Sequence, residues 1–118
     1  MAKTILVADD NPIIRKMLCR IFEREENYDL CAEAANGAEA ITLALTHNPD
    51  LIILDMSMPV MNGLDAAREL KRLMPDTPII LFTLYAEQID VSHIPVDRVV
   101  SKSNAGTLMG HVRALIPV

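Results

Sequence analysis

Tryptophan is missing and aromatic residues make up only 3% of the chain, so no large aromatic cluster can fill its interior. The core must come from Ile, Leu, Val, Met and Ala, with Phe22 and Phe82 in support. Cysteine is scarce as well. Cys19 and Cys31 are too few for a disulfide framework and lack the close paired spacing of a zinc site, so both read as small core residues. No apolar run approaches the roughly 18 residues of a membrane span, and the first residues lack the apolar stretch and cleavage pattern of a signal peptide. The expectation is a cytoplasmic chain. Basic residues are outnumbered, 11 Lys and Arg against 16 Asp and Glu, for a net charge of −5. That balance argues against direct contact with nucleic acid or an anionic membrane and in favour of protein partners. Neither a serine nucleophile elbow nor a glycine-rich phosphate loop is present.

What the chain does contain is an alternation of short apolar runs with longer amphipathic ones, five of each, within 118 residues that fit one compact domain. TILVA (4–8) has strand character, and Asp9, Asp10 and Asn11 follow it before Pro12, a good first residue for a helix. That helix places Ile13, Ile14, Met17, Leu18, Ile21 and Phe22 on its buried face and Arg15, Lys16 and Arg20 outward. LCAEAA (30–35) is a weaker second strand, and Asn36-Gly37 leads into a helix carrying Ala40, Ile41, Ala44 and Leu45, which Asn48-Pro49 stops. LIILD (51–55) is apolar on both faces until its last residue, the pattern of a central parallel strand. A third helix follows Gly63, with Leu64, Ala67, Leu70 and Leu73 on one side. IILFT (79–83) is the fourth strand. YAEQIDVSHIPVD offers only a short or irregular fourth helix because Pro95 arrives soon after it could begin. RVVSK (98–102) is the fifth strand, before a last helix with Leu108, Val112, Leu115 and Ile116 together.

Strands separated by helices pair in parallel with right-handed crossovers, and open sheets of that kind bind ligands beyond the carboxyl ends of their strands. The expected fold is therefore α/β: a three-layer (βα)5 domain over 1–118 with a five-stranded parallel sheet. Asp9 and Asp10 end the first strand, Asp55 the third, Thr83 the fourth and Lys102 the fifth, so five polar side chains converge on one rim. Three neighbouring carboxylates repel unless they share a proton or hold a hard cation, and Mg²⁺ suits oxygen ligands. Magnesium in turn suggests phosphate. A lysine supplies a point charge for phosphoryl oxygens, a threonine one more donor, and an aspartate can act as a nucleophile that becomes an acyl phosphate.

Taken singly, these residues have plainer roles. Asp9, Asp10 and Asn11 suit the capping of the first helix, Asp55 a turn, Thr83 a strand end and Lys102 a solvated surface. Met56, Met58 and Met61 read as loop packing, since thioethers suit soft copper and not magnesium. His47, His93 and His111 are scattered and read as surface residues.

Together, Asp9-Asp10 after the first strand, Asp55 in DMSMPVMNG, Thr83 after IILF and Lys102 after RVV resemble the receiver domain of two-component response regulators, over essentially the whole chain. That resemblance implies a flavodoxin-like sheet in the order 2-1-3-4-5, and a signalling switch in which Asp55 accepts a phosphoryl group from a phosphohistidine on a sensor histidine kinase or phosphotransfer protein. It implies Mg²⁺ held by Asp10, Asp55 and the backbone carbonyl of Ser57, with Asp9 acting through water. Lys102 pairs with the phosphoryl group and Thr83 moves to hydrogen-bond it. The change in the surface around the fourth helix, fifth strand and last helix is read by a downstream output domain or protein. No enzymatic turnover is implied beyond self-phosphorylation and autodephosphorylation.

Several positions depart from that pattern. Val99 stands where many receivers carry an aromatic that rotates with the threonine, Ser103 follows the lysine in place of proline, Leu84 is bulkier than the usual Ala or Gly, and the stretch from Thr83 to Lys102 is short. Altered coupling from phosphorylation to output is the expectation, and a receiver-like interaction module that acts without phosphorylation is the alternative function. An aspartyl-phosphate hydrolase of the haloacid dehalogenase type would want a second aspartate where Ser57 stands, and a flavin carrier would need a hydroxyl- and glycine-rich loop where Asp9-Asp10 stands.

Overall fold

The segments between the apolar runs are too long for hairpins and carry amphipathic helices, which leaves parallel pairing as the way to satisfy the strand backbones. The structure, a computed structural model, describes residues 2–118. Its strands are β1 (Lys3–Ala8), β2 (Tyr28–Ala34), β3 (Leu51–Leu54), β4 (Ile79–Thr83) and β5 (Arg98–Ser101), all parallel, in the expected order β2-β1-β3-β4-β5. The helices are α1 (Pro12–Glu23), α2 (Gly37–His47), α3 (Gly63–Leu73) and α4 (Leu108–Leu115). Between β4 and β5 only two 3₁₀ turns form, Ala86–Gln88 and Val91–His93, which is the irregular fourth segment that Pro95 foretells. A longer 3₁₀ stretch, Lys102–Thr107, precedes α4.

Residue parity along each strand divides the interior into two layers. Ile5, Val7, Leu51, Ile53, Ile80, Phe82 and Val100 face Leu18 and Phe22 of α1 and Leu108 and Val112 of α4. Leu6, Ala8, Ile52, Leu54, Ile79 and Leu81 face Ala40 and Ala44 of α2 and Ala66, Ala67 and Leu70 of α3. The weak look of the second strand has a local cause: the register slips where Ile5 pairs with Leu30 but Leu6 pairs with Ala32, so Cys31 is an extra residue that breaks the alternation. The strand also begins earlier than its apolar run suggests, at Tyr28.

Three asparagines start three helices. Asn11, Asn36 and Asn62 accept hydrogen bonds on their side chains from the backbone N–H groups of Ile13, Glu39 and Asp65. Asn48, in the left-handed region at φ 47°, ends α2 ahead of Pro49.

Some side chains depart from their expected environments. Ile13 is 75% exposed because it shares the outward stripe of α1 with Lys16 and Arg20, and Leu45 is 57% exposed on the outer side of α2. Cys19 and Cys31 are half-buried free thiols instead of full core residues. Burial, helped by Glu33, pushes the Cys19 thiol up to about 11, so it stays protonated and unreactive at neutral pH. Met58 is buried and Met56 and Met61 are half-buried against the second layer, as loop packing requires. His47 and His93 are exposed, whereas His111 is half-buried with Nδ1 3.3 Å from Arg98 Nη1.

Tyr28 is buried to 2% exposure and its hydroxyl donates to the carbonyl of Ile116 at 2.9 Å, tying the end of α4 to the edge strand β2. Phenylalanine at this position leaves that carbonyl without its partner. Tyr28→Phe is expected to lower unfolding stability by about 1–2 kcal/mol in a urea titration, with the m-value unchanged.

Candidate functional site

Strand order decides which side chains can meet. Ala8 pairs with Leu54, so Asp9 and Asp55, the next residues on each chain, leave the sheet side by side. Leu54 pairs with Leu81 and Thr83 with Ser101, which brings Thr83 and Lys102 to the same rim. All five expected residues line one cavity of about 230 Å³ together with Asn11, Ser57, Leu84 and Tyr85. Asp9, Asp55 and Thr83 are buried there, while Asp10 stays exposed.

Oxygen atoms of Asp9, Asp10 and Asp55 lie within 4.8 Å of one another. Lys102 answers part of that negative charge, its Nζ 2.6 Å from Asp9 Oδ2 and 3.1 Å from Asp55 Oδ1. That ammonium is the one partner of the buried Asp9 Oδ2 among the described residues, which receives no hydrogen bond from any other group. Three carboxylates offering oxygens this close together, with a single ammonium between two of them, suit a hard divalent cation. The other oxygen of Asp9 accepts from the backbone N–H of Asn11 at 2.9 Å, and the Thr83 hydroxyl accepts from the N–H of Tyr85 at 3.2 Å.

Burial pushes the Asp55 carboxyl above its ordinary value, and the charge of Asp9 adds to this, with Lys102 opposing. Burial alone would lower the Lys102 ammonium, but its contact with Asp9 and the charge of Asp55 more than compensate and leave it raised. The site thus holds more carboxylate than its one ammonium can balance.

The loop after Asp55 is held by close backbone approaches. A Cβ on Gly63 would stand 1.9 Å from the Asp55 carbonyl oxygen, and one on Gly37 2.5 Å from that of Met61, so only glycine fits at either place. The N–H of Gly37 donates to Met61 O at 2.9 Å and that of Gly63 to Met56 O at 2.8 Å. Between these anchors Val60 sits at φ 68°, an unfavourable region for a β-branched residue, within a tight turn closed from Met61 N to Pro59 O.

Sequence reasoning placed Arg15 outward. It folds back instead, Nη1 donating to the Asp9 carbonyl at 2.7 Å, and no spacing rule signals that contact. Nor does any spacing signal that Lys102 is shared between Asp9 and Asp55, a contact set by the reach of its side chain across the rim.

Residues 5–112 match the response regulator receiver domain. The chain belongs to that family. Among curated proteins that this receiver resembles, the transcriptional regulatory protein PdtaR of Mycobacterium tuberculosis is 40% identical over 88 residues, which is 73% of this chain and 41% of PdtaR. The chain spans between 21% and 42% of the length of the curated relatives it matches. The solved response regulator protein TrrA from Thermotoga maritima in complex with Mg²⁺-BeF is 40% identical, with a TM-score of 0.86 over 97% of this chain and 99% of that one. A chain in the structure of histidine kinase ThkA in complex with TrrA is 38% identical, with a TM-score of 0.83 over 97% and 98%. The receiver fold is common to this chain and its solved relatives, and in this chain it carries the acidic pocket of Asp9, Asp10 and Asp55.

The raised Asp55 carboxyl has a defined sign for stability. Folding favours its protonated form, so its contribution is most favourable below pH 3.8 and is lost as the pH rises through the raised value, leaving a cost at neutral pH. Asp55→Asn is expected to raise the thermal midpoint by a few °C at pH 7 in EDTA, and to make the gain vanish at low pH, as followed by circular dichroism.

Proposed function

We propose that this receiver is a Mg²⁺-dependent, phosphoryl-accepting signalling switch whose acceptor is Asp55. The observation that carries the reading is the convergence of three carboxylates, buried Asp9 and Asp55 and exposed Asp10, whose oxygens lie within 4.8 Å of one another, with Lys102 within 3.1 Å of Asp9 and Asp55. A module without phosphorylation gains nothing from burying repelling carboxylates, because their electrostatic cost is unrelieved.

Asp55 attacks the phosphorus of a phosphohistidine through a carboxylate oxygen. A new O–P bond forms, the N–P bond breaks, and the histidine leaves as an imidazole that takes up a proton. Asp10 and Asp55 would hold Mg²⁺ with the backbone carbonyl of Ser57, and Asp9 would act through water. The cation supplies neutralisation of the phosphoryl oxygens. Lys102 exchanges part of its contact with Asp55 for the incoming phosphoryl group, and Thr83 releases Tyr85 N–H to donate its own hydroxyl proton. The donor is a sensor histidine kinase or phosphotransfer protein, consistent with the ThkA–TrrA pairing of a similar protein. The reader is an output domain or protein, the receiver domain occupies 1–118, and the setting is the cytoplasm.

Val99 is half-buried against the second core layer and has no ring to rotate, and no α-helix lies between β4 and β5 to present a switched surface. Coupling to the output is accordingly altered. Leu84, 67% exposed at the mouth of the cavity, narrows the way for small donors, so a kinase is the better source of phosphate.

Intact mass after incubation with a promiscuous sensor kinase and ATP, and separately with acetyl phosphate, tests the reading. A gain of one phosphoryl mass that requires Mg²⁺ and disappears in Asp55→Asn is expected, with the kinase the faster donor. Binding of Mg²⁺ without any mass gain from either donor would favour the phosphorylation-independent module.

A further inference from the structure

The guanidinium of Arg15 lies between three elements. It starts from the first turns of α1, donates from Nη1 to the backbone carbonyl of Asp9 at the end of β1 at 2.7 Å, and places Nε 3.5 Å from Glu33 Oε1 on β2. Its side chain keeps 22% exposure, low for an arginine, and the hydrogen bond is charge-assisted. The rest of Asp9 is fastened too. Its N–H donates to Ala34 O at 3.0 Å, and Oδ1 accepts from Asn11 N at 2.9 Å. The turn that presents Asp9 and Asp10 is therefore braced by β2 on one side and by Arg15 on the other.

Two effects of Arg15 on a cation at the carboxylates oppose each other. Its positive charge repels a second cation, whereas its brace removes the freedom that the two aspartates would otherwise lose on binding. Glu33 offsets much of the charge, and the hydrogen bond falls directly on the backbone of a cluster residue, so the brace is the larger effect. Partners that orient ligand residues in this way typically matter about tenfold or more for metal affinity.

We propose that Arg15, held by Glu33, is a positioning residue for divalent cation binding at Asp9, Asp10 and Asp55. This rests on the phosphoryl-acceptor reading above, which requires that cation. The sign of the effect separates it from electrostatics, because removing a nearby positive charge should by itself tighten Mg²⁺ binding.

The test is calorimetric titration of Mg²⁺ into the parent chain, Arg15→Met and Arg15→Lys at a temperature where unfolding in EDTA shows each to be folded. Arg15→Met should weaken binding about tenfold. Arg15→Lys keeps the charge but has one ammonium for two partners, and should recover part of the loss. A purely structural role would lower the thermal midpoint in EDTA and leave the affinity of the folded protein alone. Mg²⁺ binding in Arg15→Met equal to or tighter than in the parent would overturn the proposal. If Arg15→Met fails to fold, Arg15→Gln, uncharged and milder, is read by the same criterion. Failure of the parent to bind Mg²⁺ would remove the acceptor reading itself, and this inference with it.

Discussion

One ammonium against three carboxylates is the constraint to which this molecule is fitted. Lys102 lies at the end of β5, two strands from β3 and three from β1. Adjacent strands are about 4.8 Å apart, so reaching Asp55 from there means crossing roughly 10 Å over the end of β4. A long flexible side chain can do so only if the residue in between is small. Thr83 is that residue, and a bulkier side chain at this buried place would stand in the path of the lysine. Asp9 and Asp55 need no such reach, because Ala8 and Leu54 are paired neighbours. The residue types at the four strand ends are thus consequences of strand order and reach as much as of chemistry.

Holding like charges at this spacing costs free energy, and the surroundings show where it is offset. The two core layers bury nearly every residue of β1, β3 and β4, which gives the rim a rigid floor that cannot relax to let the carboxylates separate. Gly63 and Gly37 then draw the loop after Asp55 against the sheet and against α2, through contacts that admit no side chain. The strained backbone of Val60 lies between those two anchors. Strain of that kind persists only where the neighbouring structure over-determines the path of the chain.

Much of this was legible because each strand announces its own end. An unbroken apolar run has a period and a length, and a charged or hydroxyl residue at its close marks the rim, so Asp9, Asp55, Thr83 and Lys102 could be placed together from the alternation alone. Parallel pairing followed from crossover rules, and the strand order from the family resemblance. Less legible were features that depend on where a flexible side chain turns. Arg15 occupies an outward position on α1 by helical period, yet its guanidinium reaches back to a carbonyl that the period knows nothing about. Ile13 satisfied the apolar spacing and still faces solvent, because neighbouring residues on a helix are about 100° apart and only one of Ile13 and Ile14 can face the sheet. The extra residue at Cys31 hid the second strand by breaking its alternation.

The β4–β5 segment is where sequence, structure and function bear on each other most directly. Pro95 and the shortness of the stretch prevent an α-helix, and the chain bridges the gap with two 3₁₀ turns, while Ile89 between them and Ile94 and Val96 after them pack partly into the second layer. Turns of this kind have few internal hydrogen bonds to break, so their arrangement depends on packing and on the ends of the strands they join. Those ends are Thr83 and, through Ser101, Lys102. The flanking serines hold the lysine in a tight turn, Ser101 Oγ accepting from Ser103 N at 3.2 Å. On the proposed reading, a new negative group at Asp55 draws on the same two residues, Thr83 and Lys102, that terminate the segment. With valine at position 99 there is no aromatic rotation to carry the change outward, so whatever is transmitted must pass through the backbone of the segment itself.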